Sequence, residues 1–355
     1  MSIYYRLVRS CMCLYLTLLI MMPLPLFAAS DKLLVTLAAQ QNLLVMDSEG
    51  NINSRIHVGI APWSVVTDGN GTAYVTTAEG LAVVDLKQAK RSALIPYQSA
   101  IGRPKYGEYR GGGMGLAISV DGTRVYVGVY TGSNTNQLEI VDTQQRRVIK
   151  RFEIQTRPFD VRLSPDEKFI ASINHDSYSV TAIDLKREQS RNYQVAPLGF
   201  GGFDKPHYAL FDDQGQLFLP VQGQAMAVLN ITNGAIVNQP LTADTHQHGM
   251  AWRPYTDQML IIGTGAAGRA NGGPSLTIYD VKNHQEQIIP LKREHEQVIV
   301  SRDGRYAWLT GGQSFTGGWD GLSRVDLKTA NVIEIPVSGQ PFGIAVWSDE
   351  RELLD

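Results

Sequence analysis

The feature that most constrains this chain is a short apolar segment ending in Asp or Asn, which recurs seven times along its 355 residues. An Asp or Asn side chain at such a point can accept hydrogen bonds from nearby backbone amides. Each copy is therefore predicted to end a β-strand and to start a tight turn into the next strand. The seven copies end at Asp47, Asp85, Asp142, Asp184, Asn230, Asp280 and Asp326.

A second turn signal alternates with the first. It consists of Asp, Gly or Pro-Asp clusters in residues 120–122, 164–167, 213–215 and 302–304, each followed by a β-branched or aromatic run. Together the two signals predict a unit of four antiparallel strands over about 40 to 50 residues, which is the blade of a β-propeller.

The first strand of each unit has a recognisable opening residue, and seven openings match the seven Asp or Asn signals. The residues after the last opening and the strands near residue 31 each supply part of a blade, so they are predicted to pair and close the ring. We therefore expect an all-β fold: one seven-bladed propeller of four-stranded antiparallel blades, spanning residues 31–355. The openings are Trp63, Met114, Phe159, His207, His248, Glu296 and Phe342.

The units resemble those of the YVTN-type seven-bladed propellers and are similar to the periplasmic YncE-like proteins. The nearest stretches are residues 158–166 (PFDVRLSPD) and 124–128 (RVYVG). The resemblance covers essentially the whole chain after residue 30. It implies the propeller fold but no single function, because such propellers include binding proteins, lactonases and dehydrogenase subunits. The chain departs from the family where His207, His248 and Glu296 replace the usual apolar opening residue.

The first segment predicts export. Residues 1–28 contain Arg6 and Arg9, then an apolar run, then small residues, and cleavage is expected near Ala28 or Ala29. The predicted location is the periplasm, with no membrane span after cleavage. Both cysteines, Cys11 and Cys13, lie in this segment, so disulfides and thiolate ligands are not expected in the exported chain.

Charge argues against one class of partner. The formal net charge is -2, and removal of two arginines with the leader takes it to -4. A weakly acidic protein has no overall attraction to phosphate backbones. Nucleic acid is therefore not an expected partner.

The polar openings define the candidate site. His207, His248 and Glu296 belong to three consecutive blades at the same level, and His246 and His295 lie one or two residues before openings of their own blades. Imidazoles and a carboxylate suit a divalent ion such as zinc, iron or copper. The alternative is that these histidines only hydrogen-bond to the backbone of the loops between blades.

Other residues are expected on the same loop-rich face, where an organic ligand would meet the mouth of the channel. The predicted ligand-binding residues are Trp63, Arg110, His175, Arg269 and Trp319. No serine lies in a nucleophile-elbow context, so no catalytic residue is assigned.

Three functions remain open from the sequence. The first is a periplasmic binding or scaffold protein with its ligand, including a divalent metal, at the loop-rich mouth. The second is a metal-assisted hydrolase or lactonase that uses the same site. The third is a cofactor-free interaction subunit of a periplasmic dehydrogenase, whose partner is another protein.

Overall fold

The structure is a computed structural model. It describes residues 31–107, 109–133, 135–196, 205–221, 225–242, 247–263, 273–312 and 318–348. These residues form seven four-stranded antiparallel sheets and contain no α-helix. Within the same residues, no helix has the length and apolar character needed to cross a bilayer.

Each sheet is one blade, and we number the blades from the first complete one. Blade one consists of β4 (Val65–Thr67), β5 (Thr72–Thr76), β6 (Leu81–Asp85) and β7 (Lys90–Ile95). Blade two consists of β8 (Gly112–Ile118), β9 (Arg124–Tyr130), β10 (Asn136–Asp142) and β11 (Arg147–Ile154). Blade three consists of β12 (Pro158–Leu163), β13 (Phe169–Asn174), β14 (Ser179–Asp184) and β15 (Gln189–Gln194). A single 3₁₀ turn, His175–Ser177, joins β13 to β14.

The remaining blades follow the same order. Blade four consists of β16 (Leu210–Phe211), β17 (Gln216–Val221), β18 (Ala225–Asn230) and β19 (Ile236–Pro240). Blade five consists of β20 (Gln247–Trp252), β21 (Gln258–Gly263), β22 (Ser275–Asp280) and β23 (Gln285–Pro290). Blade six consists of β24 (Val298–Val300), β25 (Tyr306–Thr310), β26 (Gly321–Asp326) and β27 (Asn331–Pro336). Blade seven combines β28 (Pro341–Trp347) with β1 (Lys32–Leu37), β2 (Asn42–Met46) and β3 (Ile52–His57).

The ring closes as the sequence predicts. Strand β1 pairs antiparallel with β28, with Leu33 opposite Val346 and Leu34 opposite Ala345. The first strands of neighbouring blades contact one another all the way around, from β4 to β8 and finally from β28 back to β4. The seven-bladed, all-β prediction is confirmed, and the first strands surround the axis.

Burial explains why these segments form strands in this order. In blade three, β13 is buried over most of its length, whereas the outermost strand β15 is exposed at almost every position. Apolar side chains of the inner strands pack between adjacent blades, as Ala171 and Ile173 do against Leu217 of blade four. The core therefore lies between blades, where the hydrophobic effect stabilises the ring.

The Asp turns are confirmed as well. Asp184 Oδ1 accepts hydrogen bonds from the amides of Lys186 and Arg187 at 3.0 and 2.8 Å. Asp326 accepts from Lys328 and Thr329 at 2.9 and 3.1 Å in the same way. The Asp side chain of each of these turns therefore bonds to backbone amides only two or three residues further along the chain.

Blades are also joined near the axis by threonine hydroxyls. At the end of each of three second strands, a buried threonine donates to the carbonyl of the next blade's opening residue: Thr36 to Trp63 at 2.9 Å, Thr76 to Met114 at 3.0 Å and Thr310 to Phe342 at 2.7 Å. These bonds satisfy carbonyls that the strand ladders leave open.

The openings interrupt their strand ladders, which affects where their side chains go. Phe159 is the extra residue of a register shift between β12 and β13, and His248 falls in a shift between β20 and β21. Trp63, His207 and Glu296 precede the regular part of their first strands. Bulges and strand ends change the direction in which side chains point, and here the opening residues meet at the axis.

Glycine after an opening permits the close approach of two blades. A Cβ on Gly249 would lie 2.5 Å from the Cα of Gln297 and 2.8 Å from the carbonyl oxygen of Glu296. The Gly249 amide donates to that same carbonyl at 2.7 Å. His248 and Glu296 are therefore brought together by a contact that only glycine allows.

Candidate functional site

Three histidines lie in contact at the loop-rich end of the axis, and we call His175, His207 and His248 the histidine cluster. The Nε2 atoms of His175 and His207 are 3.1 Å apart. The His207 ring stacks on the His248 ring, with centroids 4.6 Å apart and planes inclined by 25°. Two of the three are the predicted opening histidines, and the third comes from the 3₁₀ turn after β13.

The fold delivers each imidazole from a different blade. His207 follows Pro206, which forms an isolated bridge with Val221 before β16 begins. His175 is fixed through its backbone amide, which donates to the carbonyl of Arg157 at 3.0 Å. Both side chains are buried, with 5% and 4% of the surfaces of His175 and His207 exposed.

Asp176 sets the protonation of His175. The His175 Nδ1 atom lies 2.6 Å from Asp176 Oδ1, so Nδ1 carries the proton and Nε2 presents its lone pair toward His207. Burial lowers the pKa of His175 to about 4, although the bond to Asp176 opposes this shift. The imidazole is therefore neutral at pH 7, which is the form that binds metal ions.

The same carboxylate oxygen is shared with two cations. Arg157 Nη1 and Lys205 Nζ each lie 3.5 Å from Asp176 Oδ1. Burial raises the pKa of Asp176, but the hydrogen bond from His175 and the positive charges of Arg157 and Lys205 oppose this shift, and the pKa falls to about 2. Asp176 is thus a charged anchor beside the cluster.

Glu296 supports the other end of the cluster. Its Oε2 lies 2.7 Å from His248 Nδ1, and its Oε1 accepts a hydrogen bond from the Tyr208 hydroxyl at 2.9 Å. Only 3% of Glu296 is exposed. Burial and the neighbouring Glu296 charge raise the pKa of Tyr208 well above its usual value, so the hydroxyl stays a donor. A cavity of about 210 Å³ lies along the channel beside Tyr208, Met250 and Gln297.

The two carboxylates hold their histidines in the same manner. Each accepts from an Nδ1 atom, so Nε2 is the ring nitrogen through which His175 or His248 could bind a metal ion. Histidines that bind metals commonly donate their other ring N–H to a carboxylate. As the side chains stand, no three or more His, Cys, Asp or Glu groups in the described parts of the chain are arranged around one metal position.

His295 and Trp319 lie apart from these contacts. His295 Nε2 bonds to Ser323 Oγ at 2.8 Å, and its ring meets Trp319 edge-on at 5.9 Å. Trp319 is also covered by the guanidinium of Arg293, 4.9 Å from its ring. These contacts give His295 and Trp319 protein partners outside the histidine cluster. That His295 binds a metal ion and that Trp319 contacts a ligand therefore stay predictions.

The predicted apolar side of the mouth is a buried aromatic wall. Trp63 meets Phe159 at 5.2 Å and Phe342 at 4.1 Å between ring centroids. Phe159 also contacts the rings of His175 and His207 at 5.3 and 5.0 Å. The Arg110 guanidinium lies 5.5 Å from the Trp63 ring. The predicted residues Trp63, Arg110 and His175 therefore belong to one continuous set of contacts.

Two predicted residues, His246 and Arg269, lie outside the described residues. Four further residues contact the site without having been predicted from the sequence: Arg157, Asp176, Lys205 and Tyr208. Their positions carry a usable signal, since Arg157 and Lys205 each come shortly before an opening and Asp176 and Tyr208 follow a site histidine.

Comparison with known proteins supports the fold. No protein-family model and no curated protein matches the chain. This chain matches 1438 chains of solved structures. A fold this widespread does not indicate a function by itself. Hydrazine synthase of Kuenenia stuttgartiensis is 14% identical, with a TM-score of 0.62 over 81% of this chain and 96% of that chain.

A second solved structure is dihydro-heme d1 dehydrogenase NirN in complex with DHE. It is 13% identical, with a TM-score of 0.55 over 88% of this chain and 74% of that chain. Identities this low show the fold alone, and membership of the YVTN-type family stays a prediction. The comparisons thus place this chain among the β-propellers, and its own ring of strands makes it a seven-bladed one.

Proposed function

We propose that this protein is an exported binding protein that holds a divalent metal ion, zinc in the first instance, in the histidine cluster. The observation that carries the proposal is the 3.1 Å separation of His175 Nε2 and His207 Nε2. Two nitrogens bound to one tetrahedral zinc at 2.0–2.1 Å are about 3.3 Å apart. A small outward shift of the two rings would admit the ion between them.

The tautomers favour this role. Because Asp176 fixes the proton of His175 on Nδ1, the contact between the two Nε2 atoms is a hydrogen bond donated by His207. Metal binding replaces that shared proton, which requires His207 to lose it from Nε2. His175 needs no rearrangement of its own, because its Nε2 already carries a lone pair.

His248 would supply the third nitrogen through Nε2 after a rotation of its side chain. Its ring already stacks on His207, and Glu296 holds its Nδ1. Glu296 is therefore proposed as the carboxylate behind a ligand, in place of the direct ligand expected from the sequence. Neutral imidazoles suit zinc, copper and iron, so the identity of the ion is part of the test.

Metal analysis of protein purified without a histidine tag tests the proposal. After exposure to zinc and removal of excess, the wild type is expected to retain one equivalent, and His175→Gln and His207→Gln are expected to lose it. His295→Gln is the matched control, because His295 is equally buried and its pKa is likewise lowered to about 4 by burial.

Two results would contradict the proposal: a wild type that retains no metal, or retention that is unchanged in both cluster variants. Thermal melts of all four proteins show whether the variants fold. The metal-loaded wild type, assayed with a panel of lactones and esters, tests the hydrolase alternative. A metal-free, inactive protein would favour the third alternative, an interaction subunit.

A further inference from the structure

A groove of about 360 Å³ lies between blades three and four, beside the tight turns that follow β14 and β18. Its walls come from strands β13, β14 and β15 of blade three and from residues 231 and 232 in the turn of blade four. The residues that line it are distinct from those that form or support the histidine cluster. A ligand bound in this groove would therefore not depend on the proposed metal ion.

Ala182 is the residue that opens the groove. It is buried between blades three and four and lies two residues before the Asp that ends its strand. The equivalent residue is larger in each of the other six copies of that pattern: Val45, Val83, Ile140, Val228, Ile278 and Arg324. Because protein interiors are close-packed, a shorter side chain at this position leaves space that its neighbours do not fill. One small residue thus accounts for the groove at this blade boundary.

Arg191 supplies a positive charge to the groove. It lies directly opposite Ala182 on strand β15 and lines the same space. Its side chain is exposed, and no hydrogen bond or ion pair joins its guanidinium to another residue in the described parts of the chain. The guanidinium is therefore available to a ligand.

The nearby carboxylates have other partners. Strands β18 and β19 and the turn between them contain no charged residue, and Asp212 and Asp213 of blade four line a different groove, against blade five. The carboxylates in the turns of blade three bond elsewhere: Asp184 to Arg187 at 2.8 Å, Asp166 to Lys168 at 2.8 Å, Glu188 to Lys150, and Glu167 to the amide of Val120. An anion at Arg191 would therefore displace none of these contacts.

The rest of the lining combines an aromatic ring with hydrogen-bonding groups. The Tyr193 hydroxyl donates to the carbonyl of Ile231 at 3.2 Å, and a Cβ on Gly234 would lie 2.5 Å from the Tyr193 ring. These contacts hold the ring against the turn of blade four. The Thr232 hydroxyl and the Gln189 side-chain amide also line the groove and make no hydrogen bond to other described residues. Both groups can therefore donate to a ligand.

We propose that this groove binds a small aromatic carboxylate, which pairs with Arg191 and packs its ring on Tyr193. The planar fork of arginine matches a carboxylate, and one guanidinium without a carboxylate partner suits a monoanion. The Thr232 hydroxyl and the Gln189 amide supply further donors beside Arg191. The volume of the groove is within the range of small-molecule sites, and its lining joins an apolar surface to a few polar groups.

NMR titration of the ¹⁵N-labelled protein with benzoate tests the proposal, with benzamide as the uncharged ligand. We expect saturable shifts of the backbone amides around residues 189–193 and 231–234. In Arg191→Met the affinity for benzoate should fall by about tenfold or more, because the charge-assisted hydrogen bonds are lost. Arg55→Met is the matched control, since Arg55 is also an exposed arginine on the outermost strand of its blade and bonds only to Gln40, at 3.2 Å.

Ala182→Val tests the groove itself. Valine is the natural residue at three of the equivalent positions, so the variant should fold, and its two added methyl groups should fill the floor of the groove. Benzoate should then no longer bind, although Arg191 keeps its charge. Thermal melts show whether both variants fold, and Thr232→Val is a milder second variant that should also weaken binding.

The proposal is overturned if benzoate does not shift these amides in the wild type, or binds Arg191→Met or a folded Ala182→Val as tightly as the wild type. It is also overturned if benzamide binds equally well. Acetate or inorganic phosphate bound at Arg191 as tightly as benzoate would exclude the role of the aromatic ring. Because the groove and the histidine cluster share no residue, zinc retention and benzoate binding succeed or fail separately.

Discussion

Glu296 connects the histidine cluster to the rest of the channel, and Glu296→Gln tests its role. The buried carboxylate accepts from the Tyr208 hydroxyl at 2.9 Å and lies 2.7 Å from His248 Nδ1. A carboxylate offers only acceptors, so it keeps the proton of His248 on Nδ1 and leaves Nε2 for a metal ion. A glutamine of the same shape must turn a donor toward one of these two partners.

The expected magnitude follows from that geometry. The Tyr208 oxygen already accepts a hydrogen bond from the side chain of Gln297, and its proton points at residue 296. The amide oxygen should therefore stay with Tyr208, and the NH₂ group should face His248. His248 then keeps its hydrogen bond only by moving its proton to Nε2, which removes the nitrogen proposed to bind the ion. We expect zinc affinity to fall about 10–100-fold, as for other partners behind a metal ligand.

The cost to stability should be smaller than the cost to binding. Two hydrogen bonds to a charged acceptor become two neutral ones, which should destabilise the fold by about 1–2 kcal/mol. For a domain of this size the melting temperature should then fall by about 2–3 °C. The variant should therefore fold, and its zinc affinity can be compared directly with that of the wild type.

Competition with a chromophoric chelator measures the zinc affinity, and ¹⁵N NMR of the imidazoles reports the tautomer of His248. Glu334→Gln is the matched control, because Glu334 is a partly exposed carboxylate 3.4 Å from Arg293 on the outermost strand of blade six. Unchanged zinc affinity in Glu296→Gln would refute the reasoning, as would a His248 proton that is still on Nδ1.

Three further predictions concern stability. Tyr208→Phe removes a buried donor from Glu296 and should lower the free energy of unfolding by about 1–3 kcal/mol in urea titrations. Hydrogen bonds from Lys168 and Ser164 lower the pKa of Asp166 to about 2. These bonds therefore stabilise the fold fully above about pH 4, and their contribution is lost as the pH falls through 2. Asp166→Asn should reduce the acid sensitivity of the melting temperature in pH-dependent melts. Trp347→Ala, in the strand that closes the ring, should cost about 3–5 kcal/mol, whereas Ile333→Ala, which is 44% exposed on an outer strand, should change the unfolding free energy by less than about 1 kcal/mol.

The architecture was predictable because its signals are local. Asp184 and Asp326 bond to amides two and three residues further along the chain, so the turn chemistry depends on neighbouring residues only. Seven such turns at regular spacing admit few folds other than a closed ring of blades. Pairing of β1 with β28 then follows from the half-blades at the two ends.

The candidate site was only partly predictable. Ring symmetry was enough to place the openings His207 and His248 next to each other, because equivalent positions of adjacent blades meet at the axis. His175 was predicted on the same face, but as a ligand-binding residue and not as one of the metal ligands. The structure puts its Nε2 atom 3.1 Å from that of His207.

The sequence by itself determined the fold, the number of blades and the openings that surround the axis, because each depends on short patterns repeated along the chain. Only the tertiary structure decided which side chains meet there. Glu296 contacts Tyr208 and His248, which belong to two other blades. Asp176 contacts both Arg157 and Lys205, and Arg110 is completely buried. Such contacts depend on ladder interruptions and side-chain torsions, which no local pattern in the sequence specifies.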